Sequence, residues 1–276
     1  MAVKAVSEAE KILQFRTICN DMSTMWEGAV PAGIPVMPEI ITQMELECSG
    51  ESVDIGLASD TIAPMQLSFA GAWYMMISGT PNSGKSNMLR LMLNGLLLDS
   101  SSEVVLYEPR DNNFANYESK IKRITKPEDF DAYMEQIVST LKTRKEQYDS
   151  GETRFSIIAI MVDDYEICFE KADDKTIARL TQITKLARGL GVFLYISGKA
   201  ASISMLYNQG DNLTMQMVSA AHAIALGGDL LNHPNYSSDL STSDKTIMLG
   251  ANEGYYFCDG KARRFKSALA RKEQTA

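Results

Sequence analysis

The sequence predicts an α/β protein of three layers: a mainly parallel sheet flanked by helices, with antiparallel strands at its edge. Three observations carry that prediction. Apolar runs of strand length recur at 73–78, 104–107, 157–162 and 192–196, and strands buried on both faces read this way. Between them lie longer stretches whose apolar residues return at helical spacing, and strands that alternate with helices build a parallel sheet through crossovers. One apolar run leads straight into a glycine turn and then a helix, which places a ligand-binding edge at the strand C-termini.

Taken in order, Ser7 followed by Glu10 is a capping-box signal, and Ile12, Phe15, Ile18, Cys19 and Met22 then predict an amphipathic helix of about four turns. Residues 28–40 carry Gly28, Pro31, Gly33, Pro35 and Pro38, a loop composition. Residues 53–58 and 65–70 alternate in the β manner and are expected to pair antiparallel at the sheet's edge. The run 73–78 is a buried strand, and the strong helix formers after residue 86 make the next helix. A strand at 104–107 ends at Glu108-Pro109-Arg110. A helix from Pro127 to about Asp149 follows, with Phe130, Tyr133, Ile137, Leu141 and Tyr148 at its apolar positions.

The most strand-like run, 157–162, ends in Asp163-Asp164. Asp173 or Asp174 caps a helix through Ile177, Leu180, Ile183, Leu186 and Ala187, stopped around Gly189 and Gly191. A buried strand at 192–196 comes next. Further strands are expected at 223–226 and 246–249, and a terminal hairpin joins 255–258 to 265–269 through a turn at Asp259-Gly260. The chain reads as a single domain over 1–276: helix and loop through residue 50, a core at 51–270, and a tail at 271–276 in which Lys272 to Ala276 look disordered.

The glycine turn is Gly79-Thr80-Pro81-Asn82-Ser83-Gly84-Lys85-Ser86, a phosphate-loop (Walker A) pattern in its required strand-loop-helix context. The two glycines let backbone N–H groups curl around phosphate oxygens, and the helix N-terminus adds partial positive charge. These eight residues and Asn87 are the expected nucleotide-binding set, with ATP and Mg²⁺ as cofactors. Lys85 would reach the β and γ phosphates, and the Ser86 hydroxyl would ligate Mg²⁺. A glycine turn without a ligand is the alternative. The fold class sharpens to a three-layer P-loop NTPase.

Such a loop needs a carboxylate to hold Mg²⁺ through its water shell, usually at the end of a neighbouring apolar strand. Asp163 fits that role; its alternative is a turn cap. A hydrolase also needs a group to orient the attacking water. Asp164, the next residue, is the candidate, with a purely structural carboxylate as its competitor. Glu166 would lie on the same side of the chain as Asp164 if the strand continued.

The 27 basic residues against 35 acidic ones give a net charge of −8, which argues against a DNA-wrapping surface. The basic cluster at 261–266 reads as a solvated strand end rather than a nucleic-acid contact. Cys19, Cys48, Cys168 and Cys258 fit no metal or redox spacing and read as buried thiols of a reducing cytosol. His222 reads as a strand-edge residue and His233 as a loop residue. No stretch approaches 18 uncharged apolar residues and no secretory leader is seen, so a soluble chain is expected. Most of the 16 methionines read as core filler.

The order of these pieces resembles the FtsK/SpoIIIE family of ring-forming motor ATPases over most of the chain, roughly 53–269. Ile55-Gly56-Leu57 before the phosphate loop matches the family's lead-in. Glu108-Pro109-Arg110 stands for its Asp-Pro-Lys, Val162-Asp163-Asp164-Tyr165 for its Val-Asp-Glu-Phe, and Arg188-Gly189-Leu190-Gly191 for its Arg-x-x-Gly. Within that family the chain is most similar to the C-terminal ATPase module of type VII secretion proteins of the EssC/EccC kind. The resemblance implies a RecA/FtsK-like core and a cytoplasmic piece of a protein anchored at the membrane's cytoplasmic face through an N-terminal part. It also implies neighbouring ATPase modules of the same polypeptide or oligomer and export of small helical-hairpin substrates. Two departures stand out: Asp164 replaces the family's Glu, and Ser197-Gly198-Lys199 replaces its Thr-Gln-Arg. Losing one such polar contact costs around 10²-fold in rate, so the resemblance implies ATP binding with slow hydrolysis. A DNA-translocase motor of the same fold and a catalytically degenerate ATP-binding module are the alternatives.

Overall fold

The computed structural model describes residues 7–26, 28, 35–110, 113–171 and 173–271. The chain divides into two units, Met1–Val36 and Met37–Ala276. The first holds α1 (Glu8–Met25). Its N-cap Ser7 accepts a hydrogen bond from the Glu10 amide while the Glu10 carboxylate accepts one from the Ser7 amide, the reciprocal pair its sequence predicts. Of the expected loop, Pro31 and Gly33 lie outside the described residues, as does the tail from Lys272 to Ala276.

The second unit contains, in chain order, β1 (Ser52–Ala58), β2 (Pro64–Ser68), β3 (Tyr74–Gly79), α2 (Lys85–Leu96), β4 (Glu103–Tyr107), β5 (Lys122–Ile124), α3 (Pro127–Asp149), β6 (Ile158–Val162), α4 (Tyr165–Lys171) and α5 (Asp174–Leu186). There follow β7 (Val192–Lys199), α6 (Ala200–Asn208), α7 (Asn212–Val218), β8 (His222–Gly228), α8 (Thr242–Lys245), β9 (Leu249–Cys258) and β10 (Lys261–Ser267). The strands form one sheet in the order β2-β1-β10-β9-β8-β3-β7-β6-β4-β5. From β8 to β5 every pairing is parallel; from β8 outward through β9, β10, β1 and β2 every pairing is antiparallel. This is the predicted α/β class, with its antiparallel strands at one edge.

Apart from the short edge strand β5, the parallel strands are buried on both faces, and alternate residues feed two separate cores. Val105, Tyr107, Ile160 and Val162 pack with Phe130 and Ile137 of α3 and Leu180 and Ile183 of α5. Leu106, Ala159, Met161 and Ile77 face the other way, onto Met88, Leu89 and Met92 of α2. The period of two in each strand therefore makes the three layers. Phe130 stacks on Tyr107 with ring centroids 4.2 Å apart, pinning α3 to the sheet. Among the described residues no helix is long and apolar enough to cross a membrane.

Several local readings are corrected. Of the expected strand at 246–249, only Leu249 is in a strand. Ser241 and Asp244 form a capping box that starts the short α8, the Thr246 amide then bonds the Ser243 carbonyl, and strand begins only at Leu249. The cysteines are not uniformly buried: Cys168 is, Cys48 and Cys258 are half-buried, and Cys19 is exposed. Tyr148 and Leu186, expected on apolar faces, are exposed. Three of the four basic residues of β10 are tied down, Arg263 to Asp60 and Arg264 to Glu253, with Lys266 Nζ donating to the Pro38 carbonyl.

Gly56 lies in β1 where its register with β2 shifts, at φ 155°, and a Cβ there would sit 2.0 Å from the Lys266 carbonyl oxygen. Neither backbone can retreat without breaking the ladder between β1 and β10. Gly56→Ala should therefore cost about 2–3 kcal/mol, read as a lowered urea midpoint with an unchanged slope. An unaltered midpoint would mean that this edge yields.

Candidate functional site

The phosphate loop leaves the middle of the sheet, since β3 is flanked by β7 and β8. Gly84 adopts φ 103° at the α2 N-cap, a left-handed conformation that glycine enters without strain, and Asn82 is also left-handed at φ 60°. A Cβ at Gly84 would stand 2.6 Å from Asn252 Oδ1. The Asn252 amide donates to the Ser83 carbonyl at 3.1 Å, and the Thr80 amide to the Leu226 carbonyl at 3.1 Å. Strands β8 and β9 thus buttress the loop from one side. The Lys85 ammonium lies back on the loop, 3.0 Å from the Thr80 carbonyl oxygen.

Asp163 follows β6, two strands away from β3. With β7 between them, a residue on β7 can link the two. Ser197 does so: it pairs with Ile77 of β3 in the ladder, and its hydroxyl donates to Asp163 Oδ1 at 2.5 Å. The Ser86 hydroxyl donates to Asp163 Oδ2 at 3.0 Å. Asp163 is buried, so each carboxylate oxygen gains a hydroxyl donor where water is scarce. The Ser86–Asp163 pair named from sequence is in direct contact.

Asp164 and Glu166 do not share an extended strand. β6 stops at Val162, Asp164 turns left-handed at φ 61°, and α4 begins at Tyr165. Glu166, in the first turn of α4, accepts the Lys199 backbone amide at 3.2 Å and pairs with the Lys199 ammonium at 3.1 Å. Burial pulls Lys85 below the usual lysine range; Glu166, Asp164 and Asp163 oppose that pull, while Lys199 adds to it. Lys85, Asp163, Asp164, Glu166 and Lys199 therefore form one electrostatic group. Asn87 turns elsewhere: its side-chain amide donates to the Ala268 carbonyl at 2.7 Å and its oxygen accepts from the Ala270 amide at 2.9 Å.

Two supporting groups escaped sequence reasoning. Glu108 is buried at the end of β4, where Arg123 Nε donates to it at 2.7 Å and the Asn113 amide at 2.6 Å. Burial raises its pKa against the pull of Arg123. It joins β4, β5 and the intervening loop beside Asp163. His233 is buried beneath the phosphate loop, its Nδ1 2.8 Å from Ser78 Oγ and its Nε2 2.9 Å from the Gly227 carbonyl oxygen. A carbonyl only accepts, so Nε2 carries the proton and the neutral ring accepts from Ser78.

The loop and carboxylate could hold a phosphate chain and Mg²⁺. A Cβ at position 79 would meet Ser83 Oγ at 2.4 Å, so glycine keeps the cradle open. Ser83 Oγ is buried without a hydrogen-bond partner among the described residues. A serine hydroxyl beside a carboxylate is a hard-oxygen donor set that suits Mg²⁺.

With this geometry in view, the chain is similar to the ESX secretion system protein YukB of Bacillus subtilis, 29% identical over 211 residues, which is 71% of this chain and 14% of YukB. It is 22% identical over 197 residues to the ESX secretion system protein EccC of Thermomonospora curvata. Among solved structures, EssC (ATPases 2 and 3) from Geobacillus thermodenitrificans superposes with a TM-score of 0.77 at 17% identity, over 97% of this chain and 52% of that one. The fold is that of the EssC and EccC ATPase modules. Thermomonospora curvata EccC (ATPases 2 and 3), in complex with a signal sequence peptide, superposes with a TM-score of 0.76 at 18% identity, over 98% of this chain and 50% of that one. No family model matches the chain. The resemblance drawn from the motifs, to an FtsK/SpoIIIE-like ATPase module of type VII secretion, holds in sequence and in fold. The chain spans about one-seventh of the curated relatives' length.

Burial holds the His233 imidazole below its ordinary pKa of 6.5, so the unfolded chain binds a proton there before the folded chain does. The stability this group contributes is complete above pH 6.5 and lost as pH falls toward its native value. The Tm advantage of wild type over His233→Gln should therefore shrink between about pH 7.5 and about pH 5.5. A constant difference would place the imidazole's proton elsewhere.

Proposed function

We propose that this chain binds ATP with Mg²⁺ at the phosphate loop and serves as an ATPase module of a membrane-anchored type VII secretion motor. The observation that carries the nucleotide reading is the 3.0 Å contact between Ser86 Oγ and Asp163 Oδ2, which puts two oxygen ligands for one divalent cation at the mouth of the loop. In this reading the loop from Gly79 to Gly84 supplies amides to the phosphates, with the backbone at Asn87 behind them. Lys85 leaves the Thr80 carbonyl for the β and γ phosphates, and Ser86 and Asp163 hold Mg²⁺. The cation supplies charge neutralisation between the phosphates. The solved structure of the conjugation coupling protein TcpA with ATPγS, similar in fold at a TM-score of 0.67, supports it.

The secretion reading rests on the similarity to YukB and EccC. By that reading the chain works at the cytoplasmic face of the membrane beside other ATPase modules and takes small helical substrates. A signal sequence peptide bound to EccC is in keeping with this. A DNA-translocating motor is less well supported, because the most basic strand, β10, has its arginines committed to Asp60 and Glu253.

For hydrolysis, Asp164 is the proposed water-orienting residue. The competing reading, an ATP-binding module without turnover, is favoured by the Glu166–Lys199 ion pair, which occupies the nearest longer carboxylate.

Lys85→Ala should weaken ATP binding at least about 30-fold, the value of one charge-assisted contact of about 2 kcal/mol, measured with a fluorescent ATP analogue and Mg²⁺. If both chains bind equally, the nucleotide reading fails. If they bind differently but release phosphate at the same rate, only the hydrolase reading fails. Asp164→Asn should lower turnover about 100-fold, and Glu166→Gln less than about tenfold. The reverse order would transfer the role to Glu166.

A further inference from the structure

At the end of the sheet opposite the phosphate loop, β8 begins with His222 and β9 ends with Cys258, and the two are register partners in the antiparallel ladder. The Asp259 amide donates to the Ala221 carbonyl at 2.8 Å, so Ala221 and Asp259 are the hydrogen-bonded pair. His222 and Cys258 are then the adjacent non-hydrogen-bonded pair, in which side chains lie closest. Asp259 opens the turn into β10 at φ 49° and is exposed. One ligand atom from each of His222, Cys258 and Asp259 falls within 4.8 Å of the other two.

We propose that His222, Cys258 and Asp259 form a zinc site with three protein ligands and one exchangeable position. Imidazole, thiolate and carboxylate together suit Zn²⁺ rather than the all-oxygen cations. A tetrahedral ion with bonds of about 2.0–2.3 Å sets its ligand atoms about 3.5 Å apart, so closure asks for a shift of about 1 Å, which the exposed Asp259 side chain can supply. The imidazole is already oriented: Nδ1 lies 2.7 Å from the Tyr256 hydroxyl. That bond fixes the ring, and the nitrogen that carries no proton keeps its lone pair for a metal. Cys258 Sγ sits 3.8 Å from Asp259 Oδ2, a weak contact that a shared cation would replace.

His222 and Asp259 also line a cleft of about 600 Å³ whose other walls include Trp73, Tyr74 and Arg188. Two of the three ligands thus border the cleft, and a water from it would complete the coordination. Zinc here would staple the start of β8 to the turn between β9 and β10. Binding deprotonates Cys258, and the thiol proton goes to solvent.

The test uses the full chain after chelator treatment, titrated with Co²⁺ and then Zn²⁺. One equivalent of Co²⁺ should give tetrahedral visible bands and a thiolate charge-transfer band, both erased by stoichiometric Zn²⁺. Cys258→Ser should remove the charge-transfer band, and His222→Gln should weaken Zn²⁺ binding at least about tenfold. Asp259→Asn keeps a residue that tolerates the left-handed turn, so it should fold as wild type and still lose affinity. Asp163→Asn should leave the titration unchanged, separating this site from the phosphate loop. The proposal is overturned if no Zn²⁺ binds. It is equally overturned if the band follows Cys19→Ser or Cys48→Ser, or if natively folded His222→Gln and Asp259→Asn chains bind as wild type.

Discussion

One buried carboxylate organises the centre of this molecule. Asp163 is held by a hydroxyl on each oxygen, from Ser86 on α2 and from Ser197 on β7. An ionised group in so dry a place is tolerated only when its lone pairs are met. Meeting them fixes three things together: the height of β6 against β7, the first turn of α2 above the sheet, and the order β3-β7-β6. A parallel sheet brings strand C-termini to one rim, and here that rim is drawn together by side chains as well as by the ladder.

The charge balance on the rim follows from the same crowding. Asp163, Asp164 and Glu166 face Lys85 and Lys199, three carboxylates against two ammonium groups, so this group carries one net negative formal charge. Lys199 also gives Glu166 a partner, which explains how a third carboxylate is accommodated so near the other two.

Much of this was legible in the sequence because it is local. The phosphate loop, the flanking β3 and α2, the six apolar residues ahead of Asp163 and the Pro127 start of α3 each declare themselves within a dozen positions. What escaped is non-local or depends on turns. β5 has only three residues and exists because it pairs with β4. The run at 246–249 has strand composition, yet the Ser241 and Asp244 cap ahead of it, a signal that was present, shifts the strand start to Leu249. Ser197 looked like a lost polar contact; only its place on the strand between β3 and β6 gives it Asp163 as a partner. Glu166 could not be oriented from sequence, because the left-handed turn at Asp164 that ends the strand carries no glycine to announce it. The spacing of Cys258 from His222 shows no metal pattern because β8 and β9 meet by register, not by proximity in sequence.

The ten residues of β9 run from Leu249 past Asn252, which braces the phosphate loop, to Cys258 at the far rim, paired on both sides from Gly254 to Cys258. A strand locked into two ladders transmits a push along its length with little slack. The sheet thus contains a tie-rod between the brace of the loop and the corner where β8, β9 and β10 converge, with no hinge between them.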